Sequence, residues 1–484
     1  MRVEKYLFAL MAGLVMLFSA CQDDDSFTVS PQYTLSFSSD TIKLDTVFSR
    51  IPTATKTIWV YNRSGDGIRC SNIRLENGNQ TGFRVNVDGI FLGASTGFQT
   101  SGVEIPNKDS IRVFVELTSP NNMNETPTKL EDNLVFTLES GVQQKVNINA
   151  YTWDATILDS LHVKSDTTIS STKPIVIRGG IRVDSAATLT VTAGTTLYFA
   201  NKAGIDVYGR LVAQGTAQQN VVFRGDRIDH MFDYLPYDRV SGQWKGIRFH
   251  RSSYDNDLNY ADIHSAYNGI VCDSSSVEKL KLSLYNSVIH NCQGYGLQST
   301  SCVVDVWNTQ ITNTLDDCAA FFGGGAMLRH CTLAQFYPFD SNRGAALRFT
   351  NYRGTSNIPL YQFEVYNTLI TGYAEDVIMG DFNKETTADY YFDHSILRTV
   401  LPDTVDTTRY VGVIWESVKD TANGGEKNFL DIDADKQYYD FRLDSLSRAV
   451  NAGTVLPHGY SDYDRLGLRR DDKPDIGAYE YQEP

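Results

Sequence analysis

His264 and His290 are the side chains that spacing best equips to act together. Each follows the aliphatic residue closing a repeated unit, Tyr260–Ala261–Asp262–Ile263 and Tyr285–Asn286–Ser287–Val288–Ile289. Parallel stacking of those units sets the two imidazoles about 5 Å apart. Asp262 lies two residues before His264, on the same side of a strand. Two imidazoles and a carboxylate can ligate a transition metal or act as an acid–base pair. Two solvent-facing histidines in a polar ladder have the same spacing. With no firm third ligand, no cofactor is expected, and a divalent cation has no support.

A second candidate is the insertion between Phe223 and Trp244, which carries Arg227, Asp229, His230, Asp233, Tyr234, Tyr237 and Asp238. A long loop on a regular scaffold is a common functional site. Its rings, Trp244 included, can stack on sugar faces while its charged groups bind hydroxyls. Asp229, Asp233 and Asp238 can also supply a glycosidase carboxylate pair, which requires a set separation. A loop sealed by its own aromatics and Arg–Asp pairs fits the composition equally well. For hydrolysis the sealed loop fits better, because any Asp-rich loop offers such pairs.

The elements that must hold these residues are strands. Tyr, Phe, Thr and Val abound, Gly punctuates them, and no long segment has helical periodicity. Residues 33–154 read as short strands, among them 57–61, 83–87, 111–115, 134–138 and 146–150, separated by turn pairs. This predicts a β-sandwich, immunoglobulin-like in architecture although no Cys–Trp–Cys pattern is present. From about Ile175 the chain repeats. Ile181–Val183, Leu189–Val191 and Leu197–Phe199 recur as Ile205–Val207, Leu211–Ala213 and Val221–Phe223. Three strands in roughly two dozen residues is the period of a right-handed parallel β-helix. One register runs Gly246–Ile247, Gly269–Ile270, Gly296–Leu297, Ala320–Phe321, Ala346–Leu347. In a second, Asn or His recurs at 286, 308, 330, 367 and 394, followed each time by Ser, Thr or Cys. Stacked, these side chains form a polar ladder at the bend. The fold class is therefore all-β: an N-terminal immunoglobulin-like β-sandwich followed by a right-handed parallel β-helix over 175–484 with a C-terminal cap.

The start of the chain is an address. Arg2 and Lys5 precede an apolar run ending in Phe18–Ser19–Ala20, the parts of a secretory signal over residues 1–20. Cys21 right after those small residues resembles the lipobox of bacterial lipoproteins. An ordinary secretory signal with a Cys at its cleavage point would read the same way. Residues 21–32 form an acidic tether, and Asp23–Asp24–Asp25 resembles the surface-export signal of Bacteroidetes lipoproteins. The resemblance implies lipidation at Cys21 and an outer-membrane location facing the cell exterior. Asp–Ser/Thr tripeptides, such as those beginning at Asp40, Asp109 and Asp403, resemble the O-glycosylation sequon of the same bacteria.

The coil resembles the pectate-lyase-like β-helix superfamily, and Asn451–Ala452–Gly453 with Asp475–Ile476–Gly477–Ala478–Tyr479 resembles the terminal segment of secreted Bacteroidetes β-helix proteins. Lyases of that superfamily set an Arg or Lys base beside a calcium-holding carboxylate cluster. The residues after each Gly–Ile-type pair here are Arg248, Val271, Gln298, Phe322 and Arg348. No acid stands in that row, which weighs against a lyase.

Net charge is −15 for the whole chain, and 57 acidic against 41 basic residues remain beyond residue 20. That excludes a nucleic-acid partner, because no basic stripe can displace phosphate counterions. Six cysteines follow Cys21 without a CxxC, so buried thiols are expected. The expected function is a cell-surface lipoprotein whose β-helix binds carbohydrate or another extracellular polymer without catalysis. The rivals are a polysaccharide lyase or glycosidase, and an adhesin or structural partner in an outer-membrane complex.

Overall fold

The computed structural model describes residues 26–483 except 79, 122, 124, 125 and 458–461; the signal segment and Cys21 lie outside the described residues. The described residues form two compact units, divided between Asp154 and Ala155. In the first, one sheet orders Leu35–Phe37, Lys56–Asn62, Ser110–Leu117, Phe83–Val87 and Ile90–Phe91. A second contains Thr41–Phe48, Gln143–Trp153, Thr128–Leu138, Ile68–Leu75 and Gln99–Thr100. Alternate residues point inward, and both sheets feed one core through side chains such as Val60, Val113, Phe136 and Ile148.

The second unit is built from long parallel sheets, one of 11 strands and one of 17, as a parallel β-helix requires. Each turn of chain gives strands in the same sequence. Ile181–Val183, Thr188–Thr192 and Thr196–Phe199 are followed by Ile205–Val207, Arg210–Gln214 and Val221–Gly225, and then by Ile247–Phe249, Asn256–Asn259 and Ala261–His264. Parallel pairing already begins at Thr156–Leu158, which lies on Ile175–Ile177, so the coil starts before residue 175. The third strand pairs Leu197 with Phe223, two residues beyond the Val221 expected from the repeat. A slip of two preserves the inward face, so the pattern conceals it.

The polar ladder forms at the bend. Tyr260, Asn286, Asn308, His330, Asn367 and His394 all take positive φ, between 40° and 50°. Asn accepts this left-handed conformation more readily than most residues. Asn308 Nδ2 donates to Asn286 Oδ1 (3.1 Å), and Asn286 Nδ2 donates to Asn259 Oδ1 (2.9 Å). The following hydroxyls form a second line. Ser287 Oγ donates to the Tyr285 carbonyl (2.6 Å) and accepts from the Ala261 N–H (3.0 Å). Thr309 Oγ1 and Thr368 Oγ1 make the same inward bonds at 2.9 Å.

The C-terminal segment lies on the outer face of the 11-stranded sheet. Tyr479 Oη pairs with Gln310 Oε1 (2.5 Å), the Ala478 N–H donates to Thr332 Oγ1 (3.0 Å), and Arg470 reaches both Asn308 Oδ1 (3.1 Å) and Glu480 (2.8 Å). Ile476 and Ala478 add to an apolar cluster with Ala334, Leu369 and Phe441. All six cysteines after Cys21 are buried free thiols. Burial pushes Cys70, Cys292, Cys318 and Cys331 up to about 12, which makes them inert.

Asn308→Ala strands three polar partners and puts Ala in the left-handed region. It should cost about 3 kcal/mol in urea unfolding. His330 donates from Nδ1 to the Asp475 carbonyl (3.2 Å) and accepts from Asn367 Nδ2 (3.0 Å). Burial, with Arg470 and Arg329 beside it, holds its imidazole well below the ordinary range. The unfolded chain therefore takes up this proton first as pH falls below about 6.5. Stability from this group is complete above that pH and is lost on acidification. The melting temperature should fall between pH 7 and pH 5, and by less in His330→Asn.

Candidate functional site

Alternation along the first strand of each rung sends one residue in three outward. Registered pairing aligns Arg182, Asp206, Arg248, Val271, Gln298, Ala320 and Arg348 in one row. Phe322, expected in this row, instead pairs with Thr300 and Thr350 two residues further on, because Ala319 rather than Phe321 meets Leu297. The row also contains an acid, Asp206, one rung before Arg248. The insertion after Phe223 separates them in sequence and hides the register.

Around this row lies a groove of about 570 Å³ lined by Asp206, Lys245, Arg248, Tyr267, Asp273 and Arg353 among others. Its charges are largely paired. Arg248 Nε donates to Asp273 (3.0 Å). His250 Nε2 meets Asp206 at 2.8 Å, and its Nδ1 lies 3.5 Å from Asp273. The His250 ring stacks flat on Tyr208, with centroids 4.0 Å apart, and Arg182 covers the same tyrosine at 4.3 Å. Arg353 donates to Thr300 Oγ1 (3.1 Å) and lies over Phe322 at 4.7 Å. Tyr267 is 52% exposed at the rim. Gly246 is obligatory for the floor, since a Cβ there would lie 1.6 Å from the Asn268 carbonyl oxygen.

The insertion is mostly sealed onto the coil. Arg227 makes two bonds to Asp229 (Nε–Oδ1 2.7 Å, Nη2–Oδ2 2.5 Å) and lies 3.9 Å over the Tyr237 ring. Asp229 is buried. Arg224 reaches the Arg227 carbonyl (2.9 Å) and stands 3.7 Å from Asp238. Trp244, expected at the binding surface, is 1% exposed. It stacks on Phe199 at 4.4 Å and donates to the His264 carbonyl (2.8 Å), so its ring belongs to the core and not to the surface. His230 sits on the hairpin strand His230–Phe232, which pairs with Leu235–Pro236. Asp233 and Tyr234 are exposed at its tip, where Tyr234 stacks on Phe232 at 5.8 Å. The three aspartates named for hydrolysis thus stand in different settings, one buried on Arg227, one at the tip and one near Arg224.

Asp262, His264 and His290 do come together. His264 and His290 are in register on adjacent rungs, and their rings stack with centroids 4.7 Å apart. Asp262 Oδ1 accepts from His264 Nδ1 (2.8 Å) and lies 3.4 Å from His290 Nε2. Burial pushes the Asp262 carboxyl up, but the two imidazoles outweigh it and leave it well below the usual carboxylate range. Burial lowers His264 against the pull of Asp262. His290 also lines a cavity of about 290 Å³ bounded by Arg239, Thr312, Tyr438 and Arg465.

No protein-family model matches the chain, and no curated protein does. Among solved structures it is similar to the catalytic unit of a thermostable GH87 α-1,3-glucanase from Streptomyces thermodiastaticus (10% identity, TM-score 0.25, 74% of each chain covered). It is also similar to a protein of unknown function from Porphyromonas gingivalis (14% identity, TM-score 0.18, 28% of this chain and 59% of that one). A family 123 glycoside hydrolase from Clostridium perfringens shares 9% identity at TM-score 0.17, over 26% of this chain and 30% of that one. The chain thus spans less than two thirds of the latter two. Likenesses this slight leave the site to be argued from its own residues.

Sequence reading missed Asp206, His250, Asp273 and Arg353. Extending the Gly–Ile register back to Ile205–Asp206–Val207 would have found the first. Within the insertion, Arg227→Ala leaves Asp229 buried and unpaired and should cost about 2–3 kcal/mol. Tyr234→Ser at the exposed tip should change stability by less than about 0.5 kcal/mol. Urea unfolding of the two variants checks both.

Proposed function

We propose that the chain is a lipoprotein, acylated at Cys21 and held at the outer membrane facing outward, that binds carbohydrate or a similar extracellular polymer without turning it over. In this reading an immunoglobulin-like N-terminal sandwich is a spacer and a right-handed β-helix is the display surface. The groove along Asp206, Arg248 and Asp273 carries the proposal. Its ion pairs hold donors and acceptors in fixed positions, as recognition of a hydroxyl-rich ligand requires, and Tyr267 offers an exposed ring to a sugar face. Three cations (Lys245, Arg248, Arg353) against two carboxylates (Asp206, Asp273) line it. A neutral or sparsely acidic glycan therefore suits this groove despite the acidic chain. The site so moves from the sealed insertion to the 17-stranded sheet.

A glycan array on the purified protein, paired with a reducing-end assay, tests this reading. Binding without new reducing ends is expected. Tyr267→Ala and Arg248→Ala should each weaken binding about tenfold, the usual effect of losing an aromatic or arginine anchor. Turnover would overturn the binding-only reading. Absence of any glycan response would overturn carbohydrate as the ligand.

A further inference from the structure

Asp262, His264 and His290 have the makings of more than a polar ladder. Among the described residues, their ligand atoms form a cluster in which all lie within 4.8 Å of one another. Ligands of a tetrahedral zinc ion, at 2.0–2.2 Å from the metal, lie about 3.3 Å apart. The separations from Asp262 Oδ1 are 2.8 Å to His264 Nδ1 and 3.4 Å to His290 Nε2, on either side of that value. We propose that these three side chains bind a first-row divalent transition metal, with zinc the best match to two imidazoles and one carboxylate.

The scaffold favours the arrangement. Asp262 and His264 share one strand face, and the register sets His290 on the next rung directly over His264. Two of the ligands are fixed by the coil, and His264 is buried. His290 is about a quarter exposed and can adjust to close the sphere. Coordination through His264 Nδ1 places that ring's proton on Nε2, which has no hydrogen-bond partner. One unmet hydrogen bond is small beside three metal–ligand bonds. Three protein ligands leave a position open, as in zinc sites that take an exogenous ligand. His290 borders the 290 Å³ cavity, where Arg239 and Arg465 also stand. An oxyanion or a sugar oxygen entering there suits the fourth position. Four of the six buried thiols, Cys70, Cys292, Cys318 and Cys331, are pushed up to about 12 by burial and compete poorly for the metal.

Titration calorimetry of the purified full chain with Zn²⁺, and visible spectra with Co²⁺, test the proposal. One equivalent should bind, with cobalt d–d bands and no thiolate charge-transfer band. His264→Gln and His290→Gln should each weaken binding about 100-fold or more, at least the loss that follows removal of an outer hydrogen-bond partner. His162→Gln, remote and exposed, should leave it unchanged. His290→Gln alters a partly exposed side chain, and circular dichroism checks that it folds. Absence of micromolar binding, a thiolate band, or full binding by folded His290→Gln would overturn the site.

Discussion

A single bend, repeated on successive rungs, carries the rest of the coil. At Tyr260, Asn286, Asn308, His330, Asn367 and His394 the backbone turns through the left-handed region, which costs an L-residue about 1–2 kcal/mol. Asn lowers that cost, and its amide hydrogen-bonds to the neighbouring rung, so a local strain becomes a contact between turns. Backbone bonds from Asn286 to Trp307 and from Asn308 to Arg329 run alongside. In a stacked repeat protein, stability is the sum of such nearest-neighbour terms. The bend also fixes register, and register decides which side chains share an outer row. The groove and the histidine cluster are both consequences of it.

The sequence disclosed what recurs and hid what interrupts. The ladder was legible because Asn or His returns at one position with Ser, Thr or Cys after it, and His264 and His290 were legible because they extend the same period. The groove was harder to see. The insertion after Phe223 stands between Asp206 and Arg248, so an acid and a base in one row look unrelated along the chain. Ala319 takes the place expected for Phe321, a slip of two that keeps the same face inward and that the period alone therefore does not reveal. Trp244 shows the opposite error. An aromatic at the end of a polar loop reads as exposed, yet the loop turns inward there and stacks it on Phe199.

Charge is organised by face. The chain is acidic overall, but cations gather where two outer surfaces are concave: Lys245, Arg248 and Arg353 on the 17-stranded sheet, and Arg239 and Arg465 beside His290. The C-terminal segment instead buries its charges against the 11-stranded sheet. Arg470 and Glu480 there are drawn toward their neutral forms by burial, so their pairing is a condition of the segment's docking more than a net gain. The same covering leaves the cavity at His290 as a bounded space.

Native-state hydrogen exchange at the bend tests the central claim most directly, because it reads the rung-to-rung coupling itself. The amides of Asn286, Asn308, His330 and Asn367 each donate to the next rung. They should exchange among the slowest in the chain and with one shared opening free energy. Exchange of any one of them far faster than its neighbours would show rungs opening independently, and would contradict a register held by this ladder.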